Sequence, residues 1–331
     1  MAKRSNLPLP LREGAGGRGR NARTQPAELA LAATGSIRAA LRERFAGLPY
    51  VLPAVIIIVA VMSYPFIYCI YLSFRATPSY TTATHFTGLT NYGIVLHDSV
   101  FLNSLLITVI WTIASTVFDI LLGMGAAVLV NNLTWLRGPI RAALMMPYIV
   151  GYVIASYAWL WLYQGEYGLL NQLLLSWHVA SQPISLLSSL TWALPAVILV
   201  NIWKTTPFAM IMFLAGLQSV PEHTVMAARL DGASTSRAFF EIKLPYLRRT
   251  IIITSVVLTL QNFNTFTIPY IMTSGGPLNH TEIVSNYIYN VAFTNLNFGG
   301  AAAASVVVMI ILLVFAILYV GSLTRRQVGV V

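Results

Sequence analysis

The sequence predicts an all-α integral membrane protein with six transmembrane helices. Of its 331 residues, 57% are hydrophobic and only 9% are charged, too few charges for the surface of a soluble globule. Six apolar blocks each exceed the roughly 20 residues that cross a bilayer as a helix. None shows strand-like alternation, and backbone polar groups in hydrocarbon must pair internally, so helices are expected. The blocks are Leu48–Phe74, Phe101–Val130, Ile140–Tyr163, Leu190–Leu217, Tyr246–Met272 and Ala301–Leu323.

The chain begins with a basic segment that precedes the first block. Residues 1–27 are rich in Gly, Arg and Pro without apolar periodicity, which is typical of a disordered tail. Residues 28–47 favour either an amphipathic helix on anionic lipid or a continuation of that tail. No small-residue cleavage site follows the first apolar run, so a secretory signal is not expected. The apolar positions that recur every four residues are Leu29, Ala33, Ile37, Leu41 and Phe45.

The basic residues predict the orientation of the chain. With the amino end inside, 18 of the 20 Lys and Arg lie on the cytoplasmic side, Arg75 lies outside, and Lys204 lies within a helix. An excess of positive charge on one side orients membrane proteins. We therefore expect both termini in the cytoplasm, with a short tail over residues 327–331. The net charge of +10 is interpreted as topology, and no nucleic-acid partner is expected.

A polar segment, residues 218–245, separates the fourth and fifth blocks and is predicted to form two short cytoplasmic helices. The first is expected over Glu222–Leu230, because Gly232 suits the left-handed position just past a helix end. Ser234 can cap a second helix that runs through Lys243. By shape alone the segment fits either a helix-in-groove contact with a partner or a simple connector.

The same segment resembles the cytoplasmic coupling loop in the permease subunits of binding-protein-dependent ABC importers. The chain departs from the family's pattern at Met226, where Glu is usual, and at Arg249, where Pro often stands. The first departure could remove a salt bridge to the ATPase. In that family the loop lies in a cleft of the ATP-binding subunit, so the resemblance implies that this chain converts ATP-driven motion into pore opening. The matching residues are Ala227, Ala228, Asp231, Gly232, Ala233, Ile242, Leu244 and Pro245.

Other segments extend the resemblance over a permease domain at residues 48–326. Pro53 and Tyr64-Pro65 in the first helix, with the segments 88–92 and 165–171, are similar to the first permease subunit of maltose and glycerol-phosphate importers. The resemblance implies a core of five helices behind an added first helix.

Two charged residues lie deep inside apolar blocks, and a charge at the bilayer centre costs about 2.5–3.5 kcal/mol or more. Asp119 and Lys204 fall at comparable depth in two helices that run the same way. They are expected either to form an ion pair inside the bundle or to place Lys204 on the translocation path. In the third block, Pro147 and Gly151 are points where a helix can bend or pack closely.

Residues 201–208 and 261–266 mix amides, hydroxyls and aromatic rings. Amides and hydroxyls match sugar hydroxyls, and aromatic faces cover sugar C–H surfaces, although interhelical hydrogen bonds use the same residue types. The resemblance to the maltose permease implies a substrate site at matching positions, where the two asparagines fit the family's pattern and the other five residues differ. Those positions are Asn201, Lys204, Thr205, Phe208, Leu258, Gln261 and Asn262.

The substrate class is narrowed further by charge. Binding of a phosphate group would require more positive charge than Lys204 supplies. The sequence therefore favours a neutral sugar such as a disaccharide or small oligosaccharide. Glycerol phosphate or another polyol phosphate is the alternative.

The chain contains no enzymatic motif. It has no GxxxxGK[ST] phosphate cradle and no HExxH spacing, and its one cysteine, Cys69, lies in an apolar run. The sequence therefore predicts a non-catalytic pore subunit without a cofactor or metal of its own. A secondary transporter coupled to ions through Asp119, and a scaffold that acts through the basic tail, are the rival interpretations.

The resemblance also implies the partners and the compartment. An ATP-binding subunit dimer is expected to bind ATP and Mg, and a second permease chain is expected to complete a heterodimeric pore. An extracytoplasmic sugar-binding protein would deliver the substrate to the bacterial cytoplasmic (inner) membrane, where lipid surrounds the helices. The outer segment 273–298 is expected either to dock that protein or to be a solvated connector.

Overall fold

The computed structural model describes residues 48–76, 85–133 and 135–327. Within these ranges the chain forms thirteen α-helices. They are α1 (Leu48–Ser73), α2 (Thr90–His97), α3 (Ser99–Asn132), α4 (Arg137–Ile149), α5 (Tyr152–Leu162), α6 (Leu169–Ser176), α7 (Ala193–Gln218), α8 (Glu222–Leu230), α9 (Thr235–Ala238), α10 (Leu244–Phe263), α11 (Thr267–Thr273), α12 (Val284–Tyr289) and α13 (Phe298–Gln327).

Short elements complete the described chain. Strands β1 (Arg75–Ala76) and β2 (His85–Phe86) form one antiparallel pair. A 3₁₀ turn covers Leu186–Ser188, and π-helical turns cover Phe239–Lys243 and Asn290–Thr294.

The chain divides into two compact units, residues 1–66 and 67–331. The structure describes residues 48–66 of the first unit, which form the beginning of α1. The tail predicted over residues 1–27 and the amphipathic helix predicted over 28–47 lie outside the described residues. Residues 328–331 of the predicted carboxyl-terminal tail lie outside them as well.

Five helices among the described residues are long and apolar enough to cross a membrane, and a sixth span exists if a bent pair is counted as one. The bent pair is α4 and α5, which meet at 94°. The third apolar block is therefore not the single straight helix that its length predicts. Pro147 has no N–H to donate, and Val150 and Gly151 are extended, so the helical hydrogen bonds stop there.

The fifth apolar block is interrupted too, between α10 and α11. Asn264 and Thr265 turn their side chains back onto the backbone carbonyls of Leu260 and Gln261, at 2.8 and 3.1 Å. The Thr265 hydroxyl thereby replaces the helical partner that the Gln261 carbonyl loses at the end of α10. The Leu260 carbonyl keeps its helical bond, from the Asn264 N–H at 3.2 Å. The chain then restarts as α11 after the irregular residue Phe266.

The segment 218–245 follows its prediction in the first half and departs from it in the second. Helix α8 spans Glu222–Leu230, as predicted, and Gly232 has a φ of +85° in the turn that follows. The second helix does not end at Lys243. It begins at α9 and runs through the π turn into α10, because the wider turn allows the chain to continue at Pro245, which has no N–H.

The core of the second unit is the contact between α3 and α7, with α10 against both. The two helices are in close contact at Gly123, where an added Cβ would lie 2.5 Å from the Ala209 Cβ and 3.0 Å from the Met210 nitrogen. Small residues permit such close approach in membrane bundles, where dispersion contacts replace the hydrophobic effect as the driving force. Phe213 and Leu214, fully or almost fully buried, fill the space beside this crossing.

A buried polar network joins the same three helices. The Asp119 carboxyl on α3 accepts hydrogen bonds from the hydroxyls of Thr205 (2.9 Å) and Thr206 (3.1 Å) on α7. It also accepts one from the Asn262 amide on α10, at 3.2 Å. Asn262 in turn accepts from the Asn201 amide at 2.9 Å. Each bond replaces the water that these groups lose in the interior, so the network sets the relative register of the helices.

The contact at Gly123 leads to a first prediction. Gly123→Ala should destabilise the protein by about 1–3 kcal/mol, since the methyl group overlaps the backbone and side chain of α7. Thermal unfolding of the purified protein in detergent measures the loss. Gly125→Ala is the matched control, because nothing lies within 4 Å of its Cβ position. Equal unfolding temperatures for the two variants would contradict the proposed close contact.

The network leads to a second prediction. Asp119→Ala should cost about 2–5 kcal/mol, because it leaves the half-buried Thr206 hydroxyl and one N–H of the buried Asn262 amide without an acceptor. Asp119→Asn should cost less, since its amide oxygen still accepts from a threonine. The same unfolding measurement ranks the variants. Asp119→Ala as stable as the wild type would show that the network does not hold the helices together.

Candidate functional site

A pocket of about 580 Å³ lies where the two broken membrane segments face each other. One wall is the bend between α4 and α5, and the other is the break between α10 and α11, with Lys204 of α7 between them. Irregular backbone at membrane depth is tolerated where it is buried in protein or lines a water-filled cavity. The lining residues are Tyr148, Ile149, Val150, Gly151, Tyr152, Lys204, Gln261, Asn264, Thr265, Phe266 and Thr267.

The Lys204 side chain closes one side of this pocket. Its Nζ donates to the Tyr148 carbonyl at 2.7 Å, an oxygen left without its helical partner because α4 ends at Ile149. The ammonium also lies 5.2 Å from the centre of the Tyr148 ring and 4.7 Å from that of Tyr152. Two aromatic faces and a carbonyl therefore stabilise this cation in place of water. An ammonium has three N–H donors, of which the Tyr148 carbonyl takes one, and Lys204 is only 3% exposed.

The ion pair between Asp119 and Lys204, one of the two alternatives from the sequence, is not formed. No salt bridge joins these two residues within the described ranges, and each has other partners. Asp119 points into the helix interface, whereas Lys204 faces the pocket. Adjacent positions on α7 explain the difference, because Thr205 and Thr206 direct their hydroxyls to Asp119 while Lys204 projects to another side of the helix.

The other lining groups suit a neutral ligand rich in hydroxyls. The exposed amides of Gln261 and Asn264 offer both donors and acceptors, and the Thr265 hydroxyl adds another polar group. The Phe266 ring provides an apolar face. Among the described residues that line the pocket, Lys204 is the single charged side chain. The arrangement can bind and release a ligand, and it contains no nucleophile with an adjacent base.

The seven positions implied by the resemblance fall into two groups. Lys204 and Gln261 line the pocket, and the half-buried Phe208 stacks on Tyr148 with ring centres 6.0 Å apart. The remaining four are buried between helices, where the polar ones bond to one another or to Asp119, so none of them faces the pocket in this conformation. They are Asn201, Thr205, Leu258 and Asn262.

Tyr148 and Tyr152 are pocket residues that the sequence analysis did not identify. Both belong to the bend of the third block, which the sequence marks with Pro147 and Gly151. A proline and a glycine four residues apart in a membrane helix indicate where backbone is freed from helical bonding. Treating the aromatic residues beside them as site candidates would have found both tyrosines.

The residues of the predicted coupling loop come together at one end of the second unit. Helix α8 exposes Met226, Ala227 and Leu230, and the apolar side chain of Leu230 is 89% exposed. Asp231 and Gly232 are exposed in the turn, and Ser234 caps α9 by accepting from the Arg237 N–H at 3.2 Å. The other predicted residues are half-buried or exposed: Ala228, Ala233, Ile242, Leu244 and Pro245.

The segment 273–298, predicted to lie outside, is folded against the bundle. The Val284 N–H donates to the Thr108 hydroxyl of α3 at 2.8 Å, and the Tyr287 hydroxyl donates to Asp98 at 2.6 Å. Glu282 is buried and accepts from the Asn290 amide at 2.9 Å; its burial raises the pKa of the Glu282 carboxyl. A merely solvated connector would not have this buried structure.

Comparison with known proteins agrees with the fold. Residues 119–327 match the family described as binding-protein-dependent transport system inner membrane component. The trehalose/maltose transport system permease protein of Thermococcus litoralis is 31% identical over 280 residues, covering 84% of this chain and 94% of that protein. The sulfoquinovosyl glycerol transport system permease protein of Agrobacterium fabrum is 33% identical over 265 residues, covering 79% and 85%.

A solved structure shares the fold. A chain of a bacterial ABC transporter involved in the import of the acidic polysaccharide alginate superposes with a TM-score of 0.74 at 20% identity, covering 88% of this chain and 99% of that one. The chain therefore belongs to the binding-protein-dependent transport system inner membrane component family, as a multi-pass ABC permease subunit that is not itself an enzyme.

Proposed function

We propose that this chain forms half of the pore through which an ATP-driven importer carries a sugar, a disaccharide or small oligosaccharide. The observation that carries the proposal is the pocket between the two broken spans, where amides, hydroxyls and aromatic faces meet around Lys204. Those groups are the complement of a pyranose ring, which presents hydroxyls at its edge and C–H bonds on its faces. The relatives from Thermococcus litoralis and Agrobacterium fabrum support a carbohydrate cargo by their names.

The alternative cargo is glycerol phosphate or another polyol phosphate. One ammonium faces the pocket among its described lining residues, and a carbonyl and two rings already stabilise it. Phosphate sites usually offer several cationic or N–H donors. The charge of the pocket therefore favours a neutral sugar.

The excess of basic residues supports an orientation with both termini in the cytoplasm. In this orientation the pocket faces the channel of the assembled pore. Helix α8 then lies on the cytoplasmic side, where ATP is available. The exposed apolar side chain of Leu230 beside the small residues Ala227 and Gly232 suits insertion into a groove of an ATP-binding subunit.

The assembly that follows has a second, homologous permease chain, two ATP-binding subunits and an extracytoplasmic sugar-binding protein. ATP and Mg bind to the ATPase subunits, and this chain holds no cofactor. Closure of the ATPases moves α8, and the movement switches the pore between inward and outward access. ATP and the loaded binding protein must each bind the outward-facing state more tightly, because equal affinity for both states would shift nothing.

The pocket provides a third prediction. Gln261→Ala should lower ATP-dependent sugar uptake into proteoliposomes by about two- to tenfold, the effect of losing one hydrogen bond to the substrate. Its side chain is exposed in the pocket, so the unfolding temperature should stay unchanged. Gln172→Ala on α6 removes an exposed glutamine outside the pocket and serves as the control. Equal uptake by both variants would place the substrate elsewhere.

The exposed tip of α8 provides a fourth prediction. Leu230→Glu should reduce recovery of the ATP-binding subunit during affinity purification in gentle detergent, because it places a charge in an apolar contact. It should leave the unfolding temperature of the chain unchanged, since the side chain is 89% exposed. Trp135→Glu, at a 96% exposed side chain of the loop between α3 and α4, is the control.

The same purification tests the function as a whole. Stoichiometric recovery of an ATP-binding subunit and a second permease with the wild-type chain is the expected result. Recovery of the chain alone, active in liposomes without ATP, would contradict the importer and favour an ion-coupled transporter.

A further inference from the structure

Five aromatic rings form a continuous ladder in the part of the chain that follows α10. The centre of the Phe266 ring lies 4.8 Å from that of Tyr270 and 5.2 Å from that of Tyr289. Tyr289 lies 5.0 Å from Phe293, and Phe293 lies 6.0 Å from Phe298. Each step is within the range of direct ring contact. The ladder therefore has no gap between its first and last rings.

The ring at the inner end of the ladder, Phe266, is part of the pocket that is proposed to bind the sugar. Phe266 lines that pocket and also a second, shallower groove of about 370 Å³. Tyr289 and Phe293 form a side of this groove, together with Ser285, Ile288 and Ala292. No charged side chain occurs among the described residues that line the groove. A ligand that leaves the pocket past Phe266 thus meets a surface of rings and small groups.

The outer end of the ladder is exposed. Phe293 is 60% exposed and Phe298 is 42% exposed. Exposed aromatic surface that continues into a pocket is typical of a ligand-binding face.

The ring spacing fits one chemical class of ligand. A pyranose offers apolar C–H faces about as broad as an aromatic ring, and successive rings 5 to 6 Å apart let it contact the next ring before it leaves the last. The Tyr289 hydroxyl and the Ser285 hydroxyl add hydrogen-bonding groups at the edge of the groove. A docked protein surface would cover the exposed rings but has no need of the inner ones.

We propose that the ladder is a sugar-stacking track that guides a pyranose from the outer surface past Phe266 into the pocket. The inference rests on the proposed function and adds an entry route to it. The track contains few hydrogen-bonding groups, so it binds each sugar ring weakly and favours movement over retention. Its residues are Phe298, Phe293, Tyr289, Tyr270 and Phe266.

The test uses the assembled importer in proteoliposomes, with labelled trehalose and maltose as the two probes. Phe293→Ala should lower the uptake rate by about two- to tenfold, and Phe293→Leu should lower it similarly, because leucine restores apolar volume but no ring face. Phe293→Tyr should remain close to the wild type. ATPase stimulation by the sugar-loaded binding protein should be retained in all three variants.

Phe86→Ala is the matched control, since Phe86 is 73% exposed in β2 and contacts none of the five rings. Unchanged uptake by Phe293→Ala overturns the track while leaving the pore function intact. Loss of ATPase stimulation together with uptake also overturns it, because the ring would then contact a partner protein. Absence of wild-type uptake of both sugars refutes the proposed function for these sugars, and the track with it.

Discussion

The buried polar network around Asp119 and Asn262 is the constraint on which the rest of the second unit depends. It joins α3, α7 and α10 through side chains that have no water to bond with instead. A rotation of any one of the three helices would leave several of these groups without partners. The close contact at Gly123 constrains the same helices, because it leaves no room for a larger residue between α3 and α7.

The position of the pocket follows from that constraint. Lys204 precedes the network residue Thr205, and Gln261 precedes the network residue Asn262. Once the network holds one side of α7 and of α10, the neighbouring residues must point toward the broken spans. The buried asparagines and threonines therefore act as supports for the site, and the exposed amide of Gln261 is left to contact a ligand.

The sequence predicts the class of the fold well and the facing of its side chains poorly. Local rules were sufficient for α8, whose start and end depend on Pro221 and Gly232. They were insufficient for α9, because Pro245 predicts the end of a helix, whereas the π turn at Phe239–Lys243 lets the helix continue into α10. They indicated a weak point at Pro147 and Gly151 but not the 94° bend, which depends on how α4 and α5 pack against other helices.

The candidate site shows the same division. Its location near residues 201–208 and 261–266 could be predicted, since polar side chains inside a membrane segment need a reason. Which of them face the pocket could not be predicted. Helices apolar on all sides have little periodicity, so nothing in the sequence separates Lys204 from Thr205 or Gln261 from Asn262.

The continuity from α9 to α10 gives the second unit a lever arm. From Thr235 to Phe263 the chain is one helix, with a length of about 43 Å at 1.5 Å per residue. One end lies beside the turn at Gly232, and the other carries Gln261 at the rim of the pocket. A tilt of roughly five degrees about the middle of such a rod displaces each end by about 2 Å. A tilt of this helix as a whole therefore moves the turn at Gly232 and Gln261 at the pocket together.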